Sequence, residues 1–278
     1  MHRLSIALLM LAGACQRAAE PGRNPHPIHL VRPAMAPLSA VALAGRQLFF
    51  DTTLSASGHA SCATCHNPAA AYAAPNALAV QPGGADGRGT GIRAVPSLRY
   101  TDRTPEFFIG PDDGVAENVN VTQLALQNAG TTRAPKTVGS TASATAMVPR
   151  GGLFWDGRVN TLQDQAMGPL FNVAEMANHR VADAAARIRA TPAAAVLVQL
   201  FGAAILHSPA RLVDEAMFAI ARFEVEDPSF HPYTSRYDRY LEGTATLTAT
   251  ELRGLAAFED TARGNCAGCH LDKAGRDG

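Results

Sequence analysis

The chain has 278 residues, with 24 Lys plus Arg against 24 Asp plus Glu, so its formal net charge is zero. That balance excludes the basic excess of a nucleic-acid-binding protein, and 47% hydrophobic with 17% charged residues excludes a disordered chain. Aromatics are only 6%, and an Ala-rich core of this length is thin enough to need something else to fill it.

Residues 1–14 carry Arg3, an apolar run from Leu4 to Leu11 and an Ala12-Gly13-Ala14 exit, the pattern of a signal peptide for export. The run is too short to span a bilayer, and no later segment is long and apolar enough. Cys15 follows small residues as in a bacterial lipobox, although Ala12 stands where Leu is usual. A lipid anchor on that thiol and simple cleavage after Ala14 both stay open. Residues 15–40 are rich in Pro, Arg and His and read as a tether.

Ala40–Phe50 has apolar residues at helical spacing, and Gly83–Gly91 reads as a Gly-rich loop. Residues 93–98 and 133–138 are Pro-marked extended pieces, and 131–150 reads as a long loop. The Ala-rich run 181–189 is helical. Ser208 caps a predicted helix with Pro209 at its first position and Leu212, Val213, Ala216, Ile220 and Phe223 on one face; Asp227-Pro228 ends it. Thr248 and Glu251 form a capping box for a helix running to Asp260.

Four cysteines form two copies of one pattern, Cys62-Ala63-Thr64-Cys65-His66 and Cys266-Ala267-Gly268-Cys269-His270. C-x-x-C-H is the attachment signature of c-type haem. On one helical turn, two thiols three apart can both reach porphyrin vinyl groups as thioethers, and the next residue turns its imidazole to the iron. Two disulfides or a four-cysteine zinc site are the alternatives. Neither needs a His after each pair, and a zinc ribbon does not usually separate its halves so widely. Covalent haem also agrees with export. The expected fold is mainly α: two cytochrome-c-like haem domains with long loops and little strand. The first domain covers 41–228 and the start of a second covers 229–278.

The run Gly45 to Pro68 resembles the first haem segment of bacterial dihaem cytochrome c peroxidases. So do Gly152-Leu153-Phe154-Trp155-Asp156-Gly157-Arg158 with Leu162, Gln165, Gly168-Pro169 and Glu175-Met176. Tyr237 to Leu241 and Gly254 to Phe258 match the second unit. Protein-oxidising dihaem enzymes that mature tryptophan-derived quinone cofactors share this framework. The resemblance implies a peroxidatic haem on His66 and an electron-transfer haem on His270. It places Trp155 between them as mediator, with Gln165 and Glu175 in the distal pocket. It implies hydrogen peroxide as substrate, a small periplasmic cytochrome c or copper protein as electron donor, and often a homodimer. Oxidation of a partner protein is the alternative function, and simple electron transfer a third. A carboxylate at Glu175 suits peroxide cleavage on chemical grounds too, because the O–O bond breaks only if a proton moves to the departing oxygen.

The sequence departs from the family in three places. Many members carry a second axial His about sixteen residues after the first motif; here Pro82 stands there, and no His lies between His66 and His179. An open or water-filled distal side is therefore expected, with His59 a surface or hydrogen-bonding residue. Members often bind Ca²⁺ partly through an Asn before Ala-Pro; Arg133 occupies that place, so calcium is not supported. Finally, no Met follows His270 to give the second haem a sixth ligand, and Met217 or Met176 would be strained substitutes. A truncated C-terminal domain is the expectation.

Overall fold

The computed structural model describes residues 20–32, 34–111, 147–268, 270 and 272. The expected signal peptide, Cys15, Arg133 and Cys269 lie outside them. By internal contacts the chain divides into two units, Pro33–Pro232 and Met1–Arg32 with Tyr233–Gly278. The architecture is mainly helical, with two small two-stranded sheets among the described residues.

The larger unit is built on two helices. Helix α1 (Ala40–Phe50) starts where Ser39 Oγ accepts the Ala42 N–H, and the Glu226 carboxylate accepts both the N–H (2.8 Å) and Oγ–H (2.9 Å) of Ser39. Its partner is a long helix, Pro209–Glu226, capped by Ser208 as the sequence predicts. All five residues assigned to its inner face are at most 2% exposed. The two helices pack so closely that a Cβ on Gly45 would lie 1.8 Å from the Ala219 carbonyl oxygen. Scarce aromatics are concentrated here: the Phe49 ring centroid lies 5.5 Å from Phe223, 5.9 Å from Tyr72 and 6.0 Å from Phe230.

The other helices are α2 (Cys62–Cys65), α3 (Leu162–Phe171), α4 (Val181–Arg189) and α5 (Ala193–Phe201), with the long helix Pro209–Glu226 as α6. Sequence spacing gives no period for α3, which contains Gly168 and Pro169, or for α5, which is apolar all round; tertiary packing decides both. The expected loop at Gly83–Gly91 instead carries two strands, Pro82–Gly83 and Gly89–Thr90 (β1 and β2), paired antiparallel. The end of the expected long loop at 131–150 is likewise corrected: Met147–Arg150 (β4) pairs with Phe108–Pro111 (β3).

In the smaller unit, α7 (Arg236–Leu241) and α8 (Ala249–Glu259) both begin in capping boxes, at Ser235/Asp238 and Thr248/Glu251. Part of the stretch read as a tether is ordered against this unit. Arg23 bridges Thr246, the Ile28 N–H donates to the Leu241 carbonyl, and Arg32 pairs with Glu242 at 2.6 Å. Among the described residues, no helix is long and apolar enough to cross a membrane.

Candidate functional site

The first C-x-x-C-H motif is a single capped turn. The Ser61 N–H donates to Thr64 Oγ1 (2.9 Å), and the His66 N–H donates to the Cys62 carbonyl (2.8 Å). Cys62 and Cys65 therefore start from one turn with free thiols. The His66 ring is fixed by a bond between Nδ1 and the Tyr72 carbonyl at 2.9 Å. A carbonyl can only accept, so the proton sits on Nδ1 and the Nε2 lone pair is left for a metal. Burial lowers the affinity of this imidazole for a second proton, opposed by the carbonyls of Tyr72 and Pro96. A neutral, oriented imidazole beside two unpaired thiols fits an axially ligated, covalently attached haem.

The carbonyl that holds His66 is delivered by a strained loop. Ala71 and Tyr72 both adopt left-handed backbone, at φ 58° and 57°, a conformation that costs L-residues about 1–2 kcal/mol each. It is maintained by the Tyr72 N–H donating to the Asn67 carbonyl (2.8 Å) and by the Asn67–Ala73 bridge.

Residues 151–175 form the second wall. Gly152 and Gly157 have positive φ, and a Cβ on Gly152 would meet the Gly157 carbonyl oxygen at 2.2 Å, so the intervening turn needs glycine at its start. Phe154 packs its ring on the bare face of Gly168, and the Arg158 guanidinium lies 3.7 Å from that ring's centroid. Arg158 also shares the Asp156 carboxylate with Arg93. Gln165, one helical turn before Gly168, is half-buried; its carboxamide has no hydrogen-bond partner among the described residues.

Glu175 sits in the turn after α3. Its Oε1 accepts from Asn172 Nδ2 at 2.7 Å, and its carbonyl accepts the Gly84 N–H at 2.7 Å. The first sheet is thus docked on this turn: a Cβ on Gly83 would meet the Ala174 carbonyl oxygen at 2.4 Å. Burial raises the proton affinity of Glu175, while Asn172 and Arg158 pull it back. The same carboxylate raises the thiols of Cys65 and Cys62 electrostatically, behind burial as the main cause.

Trp155 is exposed and donates from Nε1 to the Ala94 carbonyl at 2.9 Å. The extended piece predicted at 93–98 then runs toward the imidazole: the Pro96 carbonyl acts on His66, and the Leu98 N–H donates to the Tyr72 carbonyl (3.3 Å). The structure thus groups Cys62, Cys65 and His66 on one turn, connects Trp155 to His66 through one strand of backbone, and puts Gln165 on the helix leading into Glu175. The second motif lies in the smaller unit. There the His270 N–H donates to the Cys266 carbonyl at 2.8 Å, the same local turn as at His66.

One residue beside the site escaped the sequence reading. Glu224 on α6 is 4% exposed, and its Oε2 has no hydrogen-bond partner among the described residues. Burial pushes its carboxyl up to about 8. It acts electrostatically on Cys62, whose thiol is pushed up to about 12 by burial first and Glu224 second. A Glu at apolar-stripe spacing after Val213, Met217 and Ile220 was the available signal.

The family described as di-haem cytochrome c peroxidase matches residues 39–246. Methylamine utilization protein MauG of Paracoccus denitrificans is 33% identical over 239 residues, covering 84% of this chain and 52% of that protein. Cytochrome c551 peroxidase of Nitrosomonas europaea is 26% identical, covering 96% and 60%. The crystal structure of the diheme peroxidase BthA from Burkholderia thailandensis superposes with a TM-score of 0.68 at 29% identity, covering 92% of this chain and 59% of that one. The chain spans 52–60% of the length of these relatives.

Proposed function

Because this chain belongs to the di-haem cytochrome c peroxidase family, a family of oxidoreductases, we propose that it reduces hydrogen peroxide to water with electrons from a small cytochrome c or cupredoxin. The reading is supported by the half-buried Glu175 carboxyl in the turn after α3, held through Oε1 by Asn172 with its proton affinity raised by burial. Haem c, when bound, supplies an iron that takes peroxide and exchanges single electrons. Cys62, Cys65 and His66 would hold one haem, and Cys266, Cys269 and His270 the other.

The protein's own part is proton handling. Asn172 occupies Glu175 Oε1, so Oε2 is left to take the proton from the near oxygen of peroxide and return it to the far one, which departs as water. A proton affinity raised by burial suits a group that must both accept and donate near neutral pH. The Gln165 carboxamide is spare and can orient peroxide against that carboxyl. Trp155 relays electrons to the His66 site through its bond to Ala94 and the backbone that continues to Pro96. This chemistry belongs in the periplasm, where an exported chain acquires covalent haem, with Cys15 as the site of any lipid anchor. A homodimer follows the family habit.

The test is to mix the holoprotein with peroxide and pre-reduced small cytochrome c, and to follow loss of the reduced band. Catalytic loss that Glu175→Gln lowers by about 10²- to 10⁴-fold supports the reading; an unaffected rate overturns the role of Glu175. A second reading, in which the oxidising equivalents of peroxide pass to a side chain of a partner protein, is favoured by Pro82 standing where a second axial His would be. No donor oxidation, with a long-lived change in the haem spectrum, would select it.

A further inference from the structure

The loop that fixes His66 ends in a phenol with its own proton outlet. Tyr72 is 3% exposed, and its ring stacks on Phe230 at 3.8 Å between centroids, with Phe49 edge-on. Its Oη lies 2.6 Å from Ser229 Oγ, and Ser229 Oγ donates to Asp227 Oδ1 at 2.6 Å. Since the Ser229 proton is committed to Asp227, the Tyr72 O–H donates to Ser229 Oγ. The chain Tyr72–Ser229–Asp227 therefore leads from the buried phenol to a carboxylate, and the backbone carbonyl of the same tyrosine holds the Nδ1–H of His66.

From this arrangement we infer that Tyr72 is a redox residue: it gives up one electron to the oxidising equivalents that peroxide delivers at the His66 site and holds the resulting hole as a neutral tyrosyl radical. The step rests on the peroxide chemistry proposed above. Tyr72–OH loses one electron toward His66. Its proton passes to Ser229 Oγ as the Ser229 proton passes to Asp227, so the ring is left uncharged and no carbon bond changes. With one further electron from the donor and two protons, hydrogen peroxide becomes two waters. Re-reduction by the donor returns an electron to the phenoxyl oxygen and the proton retraces its path.

Three features favour Tyr72 as the resting place of the hole. Burial keeps solvent away from the radical. Its ring neighbours Phe49 and Phe230 are far harder to oxidise than a phenol, so the hole does not spread. The left-handed residues Ala71 and Tyr72 place the tyrosine's own carbonyl on the His66 ring, so the phenol belongs to the residue that holds the imidazole.

The test is electron paramagnetic resonance on holoprotein frozen within milliseconds of adding hydrogen peroxide, with peroxide consumption followed in parallel. A radical signal that narrows with ring-deuterated tyrosine, is lost in Tyr72→Phe and falls several-fold in Ser229→Ala is the expected result. Tyr72→Phe keeps the stacked ring, so it removes the hydroxyl without opening the core. Peroxide consumption with no tyrosine-derived signal, or a signal unchanged in Tyr72→Phe, overturns the inference and leaves the peroxidase reading standing. If the protein consumes no peroxide, both fail.

Discussion

Glu224→Gln tests the electrostatics of the core beside Cys62. The carboxyl is buried, one of its oxygens is unpaired, and its proton affinity is raised from an ordinary 4.5 to about 8. Between those values the unfolded chain has lost this proton while the native state keeps it, so native stability falls as pH rises. Linkage sets the slope at about 1.4 kcal/mol per pH unit, or roughly 4 kcal/mol between pH 5 and pH 8 from this one group. Above about 8 the native carboxyl ionises as well and the loss stops growing. Gln has nearly the same shape and no titration. Urea unfolding of the holoprotein, followed by helical circular dichroism at several pH values, should give the two proteins within about 1 kcal/mol of each other at pH 5. At pH 8 the variant should be the more stable by up to about 4 kcal/mol. Parallel stability curves across that range would refute a neutral, buried Glu224.

Gly45→Ala should destabilise the holoprotein by roughly 3 kcal/mol or more, read from the shift in urea midpoint, because a Cβ there would collide with the Ala219 carbonyl oxygen and part α1 from α6. Arg158→Ala removes a cation that lowers the proton affinity of Glu175, so the pH profile of peroxide turnover should move upward; an unmoved profile would disconnect the two residues. Asn172→Ala should shift the same profile upward, since the amide is the first of the groups opposing burial at Glu175. Gly152→Ala should lower thermal stability and peroxide turnover together, because the turn carrying Phe154 and Trp155 leaves no room for a Cβ against Gly157.

The sequence made legible what local physics determines. The caps at Ser208 and Thr248, the apolar stripe of α6 and the turn in each haem motif all follow from spacing and hydrogen-bonding chemistry, and the structure has them where expected. Helix α3 was hidden because Gly168 and Pro169 read as breakers; Gly168 is there to admit the Phe154 ring, a tertiary reason with no local signature. Strand β4 was hidden because its partner β3 lies some forty positions earlier in the chain. At the site, His66 could be assigned from its motif, but the carbonyl that fixes its tautomer comes from a residue six positions on in an unusual backbone conformation. Tyr72 looks like an ordinary core position in the sequence, and Glu224 shows there only as a charge at apolar-stripe spacing. Their roles depend on which polar groups the fold brings to them, and in the case of Glu224 on the partner that it withholds.

The most direct test of the central claim is the ratio of small ferrous cytochrome c oxidised to hydrogen peroxide consumed by the holoprotein at steady state. A ratio of two, with both rates falling together in Glu175→Gln, is the predicted result, because each peroxide takes two electrons and needs the Glu175 proton transfer to accept them. Peroxide consumed with little or no cytochrome oxidised would contradict it and assign the oxidising equivalents to another acceptor.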